Sequence, residues 1–388
     1  MYLSEYIFRI MAKNINKKAY TEETLLKLDI FRECFREWFP VFLHSKFISK
    51  IFIYDLFAGS GSDSEGTFGS PLILLEEARG DKRQYCEYFR KSEQKITFAF
   101  NELQKRKAKT LETNVNDFFE SCKLNCQIVD CPFENSRYFK HEDFQEIFQS
   151  EAFKQILANS KFGKFILIDQ YGFKQVNEEV FTVLSNSPKT DFIFFITSSS
   201  IRRFIEHDVV KKYLKEKKIA FDEGKPKECH RIMANYFKSL IPDSKEYYLH
   251  HFTIQNQSNY YGLIFGSAHS FGMEKFLKVC WKHDPYAGES NCNMFDDFEE
   301  GTLFHTTEET NKIEIIKDLL RTEILAERIT NNISALKFVL DKGGKLSLYS
   351  ELIQTLIKSG RVEIIGELNK QISGIHNIDK YSFKVILK

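Results

Sequence analysis

Alternating strand and helix patterns from Lys50 onward predict a doubly wound α/β fold: a mostly parallel, seven-stranded sheet closed by an antiparallel hairpin, with a small C-terminal domain. Three observations carry this expectation. Continuous apolar runs of strand length, IFIYDLF, ITFAF, KFILI and DFIFFITSS, read as strands buried on both faces. Helical patterns lie between them, giving the spacing that parallel crossovers need. Two late strands, EYYLHHFTIQN and YYGLIFGSAH, stand so close together that they must pair antiparallel.

Taken in order, TEETLLKLDIFRECFREWFPVF places Leu25, Leu28, Phe31, Phe35, Trp38 and Phe39 on one helical face, with Thr21 at its start and Pro40 as its stop. The first strand follows, then a helix at PLILLEEA, the second strand, and a helix from Leu103 to Cys122. For the third strand CQIVD and SRYFKHEDF compete; the second is favoured because the helical EDFQEIFQSEAFKQIL follows it. Next come KFILIDQYGF, a helix at NEEVFTVLSN, DFIFFITSS, a helical basic stretch to about Leu240, and the hairpin. Five parallel strands ending in an antiparallel hairpin resemble the Rossmann-like sheet plan of class I methyltransferases, which implies S-adenosylmethionine as cofactor.

The domain division expected is an N-terminal helical segment at 1–49, a Rossmann-like domain at 50–283, a linker at 284–310 and a C-terminal domain at 311–388. From Asp284 to Thr310 there are eight acids and no Lys or Arg, which reads as a solvated linker. Beyond it, helix, helix, turn, helix, Gly and two strands suggest a winged-helix-like unit; a helical cap on the main domain is the equal alternative.

With 388 residues, 43% of them hydrophobic, and 38 Phe, the chain can bury a large core. Lys plus Arg total 55 against 54 acids, so any polyanion site must be a local patch. Arg202, Arg203, Lys211, Lys212, Lys215, Lys217 and Lys218 form one, though interleaved acids make a solvated helix face the plainer reading. No membrane span is expected, since no apolar window is long enough, and the eight scattered Cys fit reduced thiols in a cytoplasmic protein. Cys122, Cys126 and Cys131 cluster without a matching fourth ligand, so no metal site is assigned.

The chemistry concentrates at strand ends. In IFIYDLFAGSG a buried strand ends at Asp55 and delivers Phe57, Ala58, Gly59, Ser60 and Gly61 into a turn where a ligand can approach the backbone. This is the expected cofactor cradle; its plain alternative is a tight βα turn. The loop runs on through SDSEGTFGSP, long enough to suggest a lid. An acid ending the second strand suits ribose hydroxyls, which selects Glu102, with Asn101 as runner-up. Asp143 after the third strand is expected at the adenine amino group beside Phe144, against the alternative of a helix cap. Asp169 and Tyr171, at the end of the fourth strand, are the expected acceptor-side pair: the carboxylate takes a hydrogen bond from a target amine and the ring stacks on a planar substrate.

The first helix, the run IYDLFAGSGSDSEGTFGSPLILL, the IDQYGF strand end and YYGLIFGSAHSFGMEKFLKVCWKHDP together resemble the three-Cys-motif partner (TcmP) family, over about Tyr20 to Pro285. The resemblance implies a methyltransferase-like domain encoded beside a small protein with a three-Cys cluster-binding motif. It also implies a setting among mobile elements and phage-defence loci, and hence DNA or RNA as substrate or signal. The family pattern is Asp-Pro-aromatic-Gly where this chain has Asp169, Gln170, Tyr171 and Gly172, a departure that bears on catalysis. Three functions therefore stand: a methyltransferase acting on an amino group of nucleic acid, a non-catalytic partner or sensor built on the same fold, and a methyltransferase acting on a protein or peptide.

Overall fold

Strands form where the apolar runs are densest. β1 (Lys50–Asp55), β2 (Lys95–Asn101), β4 (Phe162–Ile168) and β5 (Thr190–Thr197) bury nearly all their side chains, as strands covered on both faces must. β3 (Arg137–Lys140) is short and alternates half-buried with exposed residues. Its position within SRYFKHEDF decides the third strand as expected. The computed structural model describes residues 18–124, 126, 130–169, 177–197, 211–212, 215, 228–256, 259–292, 312–366, 374–375 and 379–386.

β1 pairs in parallel with β2 on one side and β4 on the other, Lys50 lying opposite both Lys95 and Phe162. With β6 (Tyr248–Asn256) and β7 (Asn259–Ser267) the sheet order is β3-β2-β1-β4-β5-β7-β6. β6 and β7 pair antiparallel, from Tyr248 opposite Ser267 to Asn256 opposite Asn259. This is the doubly wound, mostly parallel seven-stranded class expected, and it places β1 in the interior of the sheet. The chain divides into two compact units, Met1–Ile196 and Thr197–Lys388.

In the first unit, α1 (Glu22–Leu43) lays Phe31, Phe35, Trp38 and Phe39 against the sheet. Phe165 of β4 meets the Trp38 ring at 4.7 Å, and the Trp38 indole donates to Asp191 Oδ2 at 2.7 Å. Gly163 is required here because a Cβ would come 2.3 Å from the Phe42 ring. Pro40 does not end the helix as expected. One more turn closes past it, with His44 N donating to the Pro40 carbonyl, and the buried Phe42 and Leu43 hold that turn down.

α2 (Ser70–Arg79) starts with Pro71 in its first turn. α3 (Gln84–Lys91) is an element the sequence pattern did not suggest, and α4 is Lys105–Leu124. The helix expected after β3 is two, α5 (Phe144–Gln149) and α6 (Glu151–Ala158), divided at Ser150, whose extended backbone ends one and whose hydroxyl caps the other. α7 (Glu178–Asn186) leads into β5.

The second unit contains α8 (Cys229–Ser239), the hairpin, α9 (Ser270–His283), α10 (Lys312–Leu325), α11 (Asn332–Asp341), α12 (Ser347–Lys358) and the antiparallel pair β8 (Val362–Ile365) and β9 (Ser382–Val385). Residues 284–292, read above as the start of a solvated linker, are folded instead. The Asp284 carboxylate accepts from the amides of Tyr286, Ala287, Glu289 and Ser290, and residues 289–291 run beside β6 through Thr253. Glu289, which composition alone counts as a linker acid, is buried against Lys312, Arg231 and His251. Burial disfavours its charge, but Lys312 first, with Arg231, holds its carboxyl well below the usual range. Residues 293–310 of that segment, residues 1–17 and most of the basic stretch lie outside the described residues. Among the described residues no helix is long and apolar enough to cross a membrane.

Candidate cofactor site

Strand order reverses at β1, which has β2 on one side and β4 on the other, and ligands of open α/β sheets bind outside the carboxyl ends of the strands at such a point. Asp55 ends β1 there and is fully buried. Its Oδ1 accepts from the Phe57 amide at 3.2 Å, while Oδ2 is buried and, among the described residues, has no hydrogen-bond partner. Burial pushes its carboxyl up to about 7, the Asp169 charge adding to that and Ser70, the Phe57 amide and Lys27 opposing it. An orphaned buried acceptor at the mouth of the sheet is the kind of group that a ligand donor satisfies.

The turn above it is shaped for close approach. Gly59 and Gly61 have φ of 63° and 83°, and their amides donate to no group among the described residues. Ala58 N donates to the Asn101 carbonyl, tying the turn to β2. Phe57 stacks on Phe144, ring centroids 5.4 Å apart, across the gap to α5.

The long continuation of this loop is pinned shut rather than free to act as a lid. Asp63 Oδ1 accepts from the amides of Glu65 and Thr67, and its Oδ2 from the Tyr20 amide at 2.8 Å. Asn114 on α4 donates to the Ser60 carbonyl and the Ser62 hydroxyl. Tyr20 also brings its ring over the loop, its hydroxyl 2.8 Å from where a Cβ on Gly69 would sit. Burial raises the Tyr20 phenol, with Asp63, Asp169 and Asp55 adding to the effect.

The other expected residues separate by their partners. Glu102 lies half-buried after β2, with Oε1 accepting from the Gln104 amide at 2.7 Å. Asn101, the runner-up, is committed inside the fold: its amide donates to the carbonyls of Leu56 and Glu142 and its oxygen accepts from Glu142 N. Asp143 forms a capping box on α5 with Glu146, the alternative named for it above. Asp169 follows β4 and forms an ion pair with Lys27 of α1, whose ammonium also lies 4.2 Å from the Phe195 ring centroid. Tyr171, with Gln170 and Gly172, lies outside the described residues.

Three participants went unread in the sequence: Tyr20, Lys27 and Asp63. Lys27 sits 142 residues from its partner Asp169, so no local pattern could expose it. Asp63 was quoted inside a long loop, and its turn-forming habit was the available signal. A cavity of about 480 Å³ opens elsewhere in this unit, lined by Phe68, Arg79, Asn114, Phe118 and Cys122 among others, and neither Asp55, Glu102 nor Asp169 lines it. The thiols of Cys122, Cys126 and Cys131 are free, and among the described residues no group of three or more His, Cys, Asp or Glu is placed to hold a metal ion.

No family model matches the chain, and no curated protein sequence does. Solved structures with a similar fold include TrmK of M. capricolum in complex with S-adenosyl-homocysteine, at 11% identity and a TM-score of 0.28, covering 79% of this chain and 93% of that one. A human methyltransferase 10 domain containing protein aligns at 8% identity and 0.30, covering 65% and 86%. Spermidine synthase of Thermotoga maritima aligns at 13% and 0.30, covering 63% of this chain and 62% of its own. The fold class itself rests on the strand order and register above.

Proposed function

We propose that this chain is an S-adenosylmethionine-binding, methyltransferase-like protein whose acceptor is an amino group of nucleic acid. The observation that carries the reading is the Oδ2 of Asp55, unpartnered among the described residues and buried at the β1/β4 reversal next to a turn whose Gly59 and Gly61 amides donate to no group among them. Those residues fit an adenosyl ligand: the glycine turn with Phe57 and Ala58 cradles it, Asp55 accepts a donor from it, and Glu102 offers its second carboxylate oxygen to the ribose. Asp143 would reach the base while keeping its cap.

When bound, the cofactor supplies an electrophilic methyl group. Asp169 then has the acceptor role, taking a hydrogen bond from the amine and drawing its proton, with Tyr171 stacking on the base. For that, its ion pair with Lys27 must open. The same ion pair favours the second reading, a non-catalytic partner or sensor, because it neutralises the one carboxylate offered to an acceptor. The motif resemblance supports, for either reading, a neighbour-encoded three-Cys-motif protein as partner and a mobile-element or phage-defence setting, and the scattered cysteines support a cytoplasmic location.

Calorimetry with S-adenosylmethionine tests the shared premise. Wild type is expected to bind, and Asp55→Ala, checked for an intact melting transition, to bind at least about tenfold more weakly, the loss of one charged hydrogen bond. Radiolabel transfer to total DNA, RNA and partner protein then separates the readings. Binding without transfer to any of them rejects catalysis; absence of binding by folded wild type rejects both.

A further inference from the structure

We infer that the C-terminal part of the second unit is a face for duplex DNA, with α12 as the helix that enters the major groove. This deepens the proposed function by naming its polyanion, and the test below omits the cofactor so that the two can fail separately.

The connectivity comes first. After α10, Thr330–Asn332 runs beside β9: Phe383 N donates to the Thr330 carbonyl, Asn332 N to the Tyr381 carbonyl, and Asn331 bridges Ser382. The order is therefore helix, short strand, helix, helix, and a two-stranded ribbon whose second strand pairs back to the first short one. α11 and α12 are joined by residues 342–346, a short turn holding Gly343 at φ 72° and Gly344. That is a helix-turn-helix followed by a wing, and in such a pair the second helix is the one free to lie in a groove.

The faces of α12 agree. Leu348, Tyr349, Leu352, Ile353 and Leu356 are buried toward the unit's core. Ser347, Gln354, Thr355 and Lys358 are exposed on the other side, where Glu351 is held by Lys317, leaving a row of hydroxyl, amide and basic groups of the kind that read base edges. Only B-form DNA has a major groove wide enough for a helix; that of A-form RNA is too deep and narrow.

Charge supplies the third argument. Several cations of this unit are paired: Arg231 and Lys312 with Glu289, Lys238 with Asp341, Lys317 with Glu351, Arg328 with Glu323 and Lys337 with Glu246. Lys358, Arg361, Lys380 and Lys384 have no ion-pair partner among the described residues, and all four are exposed. Lys358 and Arg361 lie where α12 meets the ribbon, Arg361 accepting at its carbonyl from Ile386 N beside β9, while Lys384 lies on β9 and Lys380 precedes that strand at the ribbon's other end. Glu363, opposite Lys384 in the register, and Asp379 oppose them in part. From Lys342 onward six basic residues face three acids among the described residues, a local excess in a chain whose overall charge is +1. Unpaired cations beside a polar helix face suit a phosphate backbone flanking a groove.

The experiment is fluorescence anisotropy of a labelled DNA duplex of about 25 base pairs with the full chain, no cofactor present, over about 50 to 300 mM salt. If the four cations each meet a phosphate, log affinity falls against log salt with a slope of about −3 to −4. Lys358→Glu with Arg361→Glu is expected to weaken binding at least about tenfold at the lowest salt and to flatten the slope by about 2. Lys46→Glu with Lys95→Glu, an equal charge change at exposed positions in the first unit, should leave both unchanged. Melting curves establish that each variant is folded. The inference is overturned by absence of binding by the folded wild type, by equal loss in both double variants, or by tighter binding to single-stranded or duplex RNA than to duplex DNA.

Discussion

Asp55 is a carboxyl whose native value lies above its unfolded one, raised from 3.8 to about 7 by burial. Its proton is held more tightly in the folded chain, so native stability falls as pH rises from about 4 to 7, and the full cost is present above that window. A rise of this size corresponds to a penalty on the order of 4 kcal/mol when the group is ionised. Asp55→Asn removes the ionisation and keeps an acceptor for the Phe57 amide. Chemical denaturation is expected to show the variant more stable than wild type at pH 8, with the difference shrinking toward pH 5. A variant no more stable at pH 8 would mean that Asp55 is not held in the state its burial implies. That Asp55 ends a buried strand and opens onto a glycine turn was legible in the sequence because strand, acid and small residues are contiguous. The part played by Lys27 was not, since its partner is brought to it by the sheet and by nothing in the neighbouring sequence.

Among elements, the loop from Ser62 to Phe68 departs most from expectation. Its length suggested mobility, yet one carboxylate, Asp63, gathers three backbone amides and links the loop to the approach of α1. Asp63→Ala leaves those donors without their acceptor and should cost about 1–3 kcal/mol. Hydrogen exchange at Glu65 and Thr67 is expected to accelerate most, with β1 and β4 unaffected; unchanged protection there would show that the loop is held by other contacts. Elements were legible where periodicity ran long, as in α1 and α4. α3 was missed because eight residues burying only Cys86 and Phe89 give too little period to read. Pro40 misled in the other direction, since buried aromatic neighbours outweighed a local stop signal.

At the scale of the molecule, the parallel strands and their closing antiparallel hairpin followed from simple spacing, but the boundary after the hairpin did not. Acid content made residues 284–292 look solvated, and only the positions of Lys312 and Arg231 turn Glu289 into a buried partner. The helices beyond are thereby bound to the hairpin: the Trp281 indole donates to the Gly343 carbonyl at 2.9 Å, and Lys312 donates to the Ala287 carbonyl at 2.7 Å. A chain ended at His283 would strand Trp281 and uncover the core of its unit. Expressed alone, it is expected to yield largely aggregated protein or to melt at least about 10 °C lower, as the loss of a buried ion pair and its apolar cover implies. A truncated chain as stable as the whole would show that the last hundred residues are a separable appendage.

β7 lies between β5 and β6. β5 is complete at Thr197, whereas its later neighbour begins at Asn259. On the ribosome, roughly 60 residues, or about 3 to 12 s of translation, separate the birth of a strand buried along nearly its whole length from the arrival of its hydrogen-bonded neighbour. Throughout that interval the nascent chain presents a bare template for a neighbouring polypeptide, and slowing synthesis there should raise its dependence on chaperones.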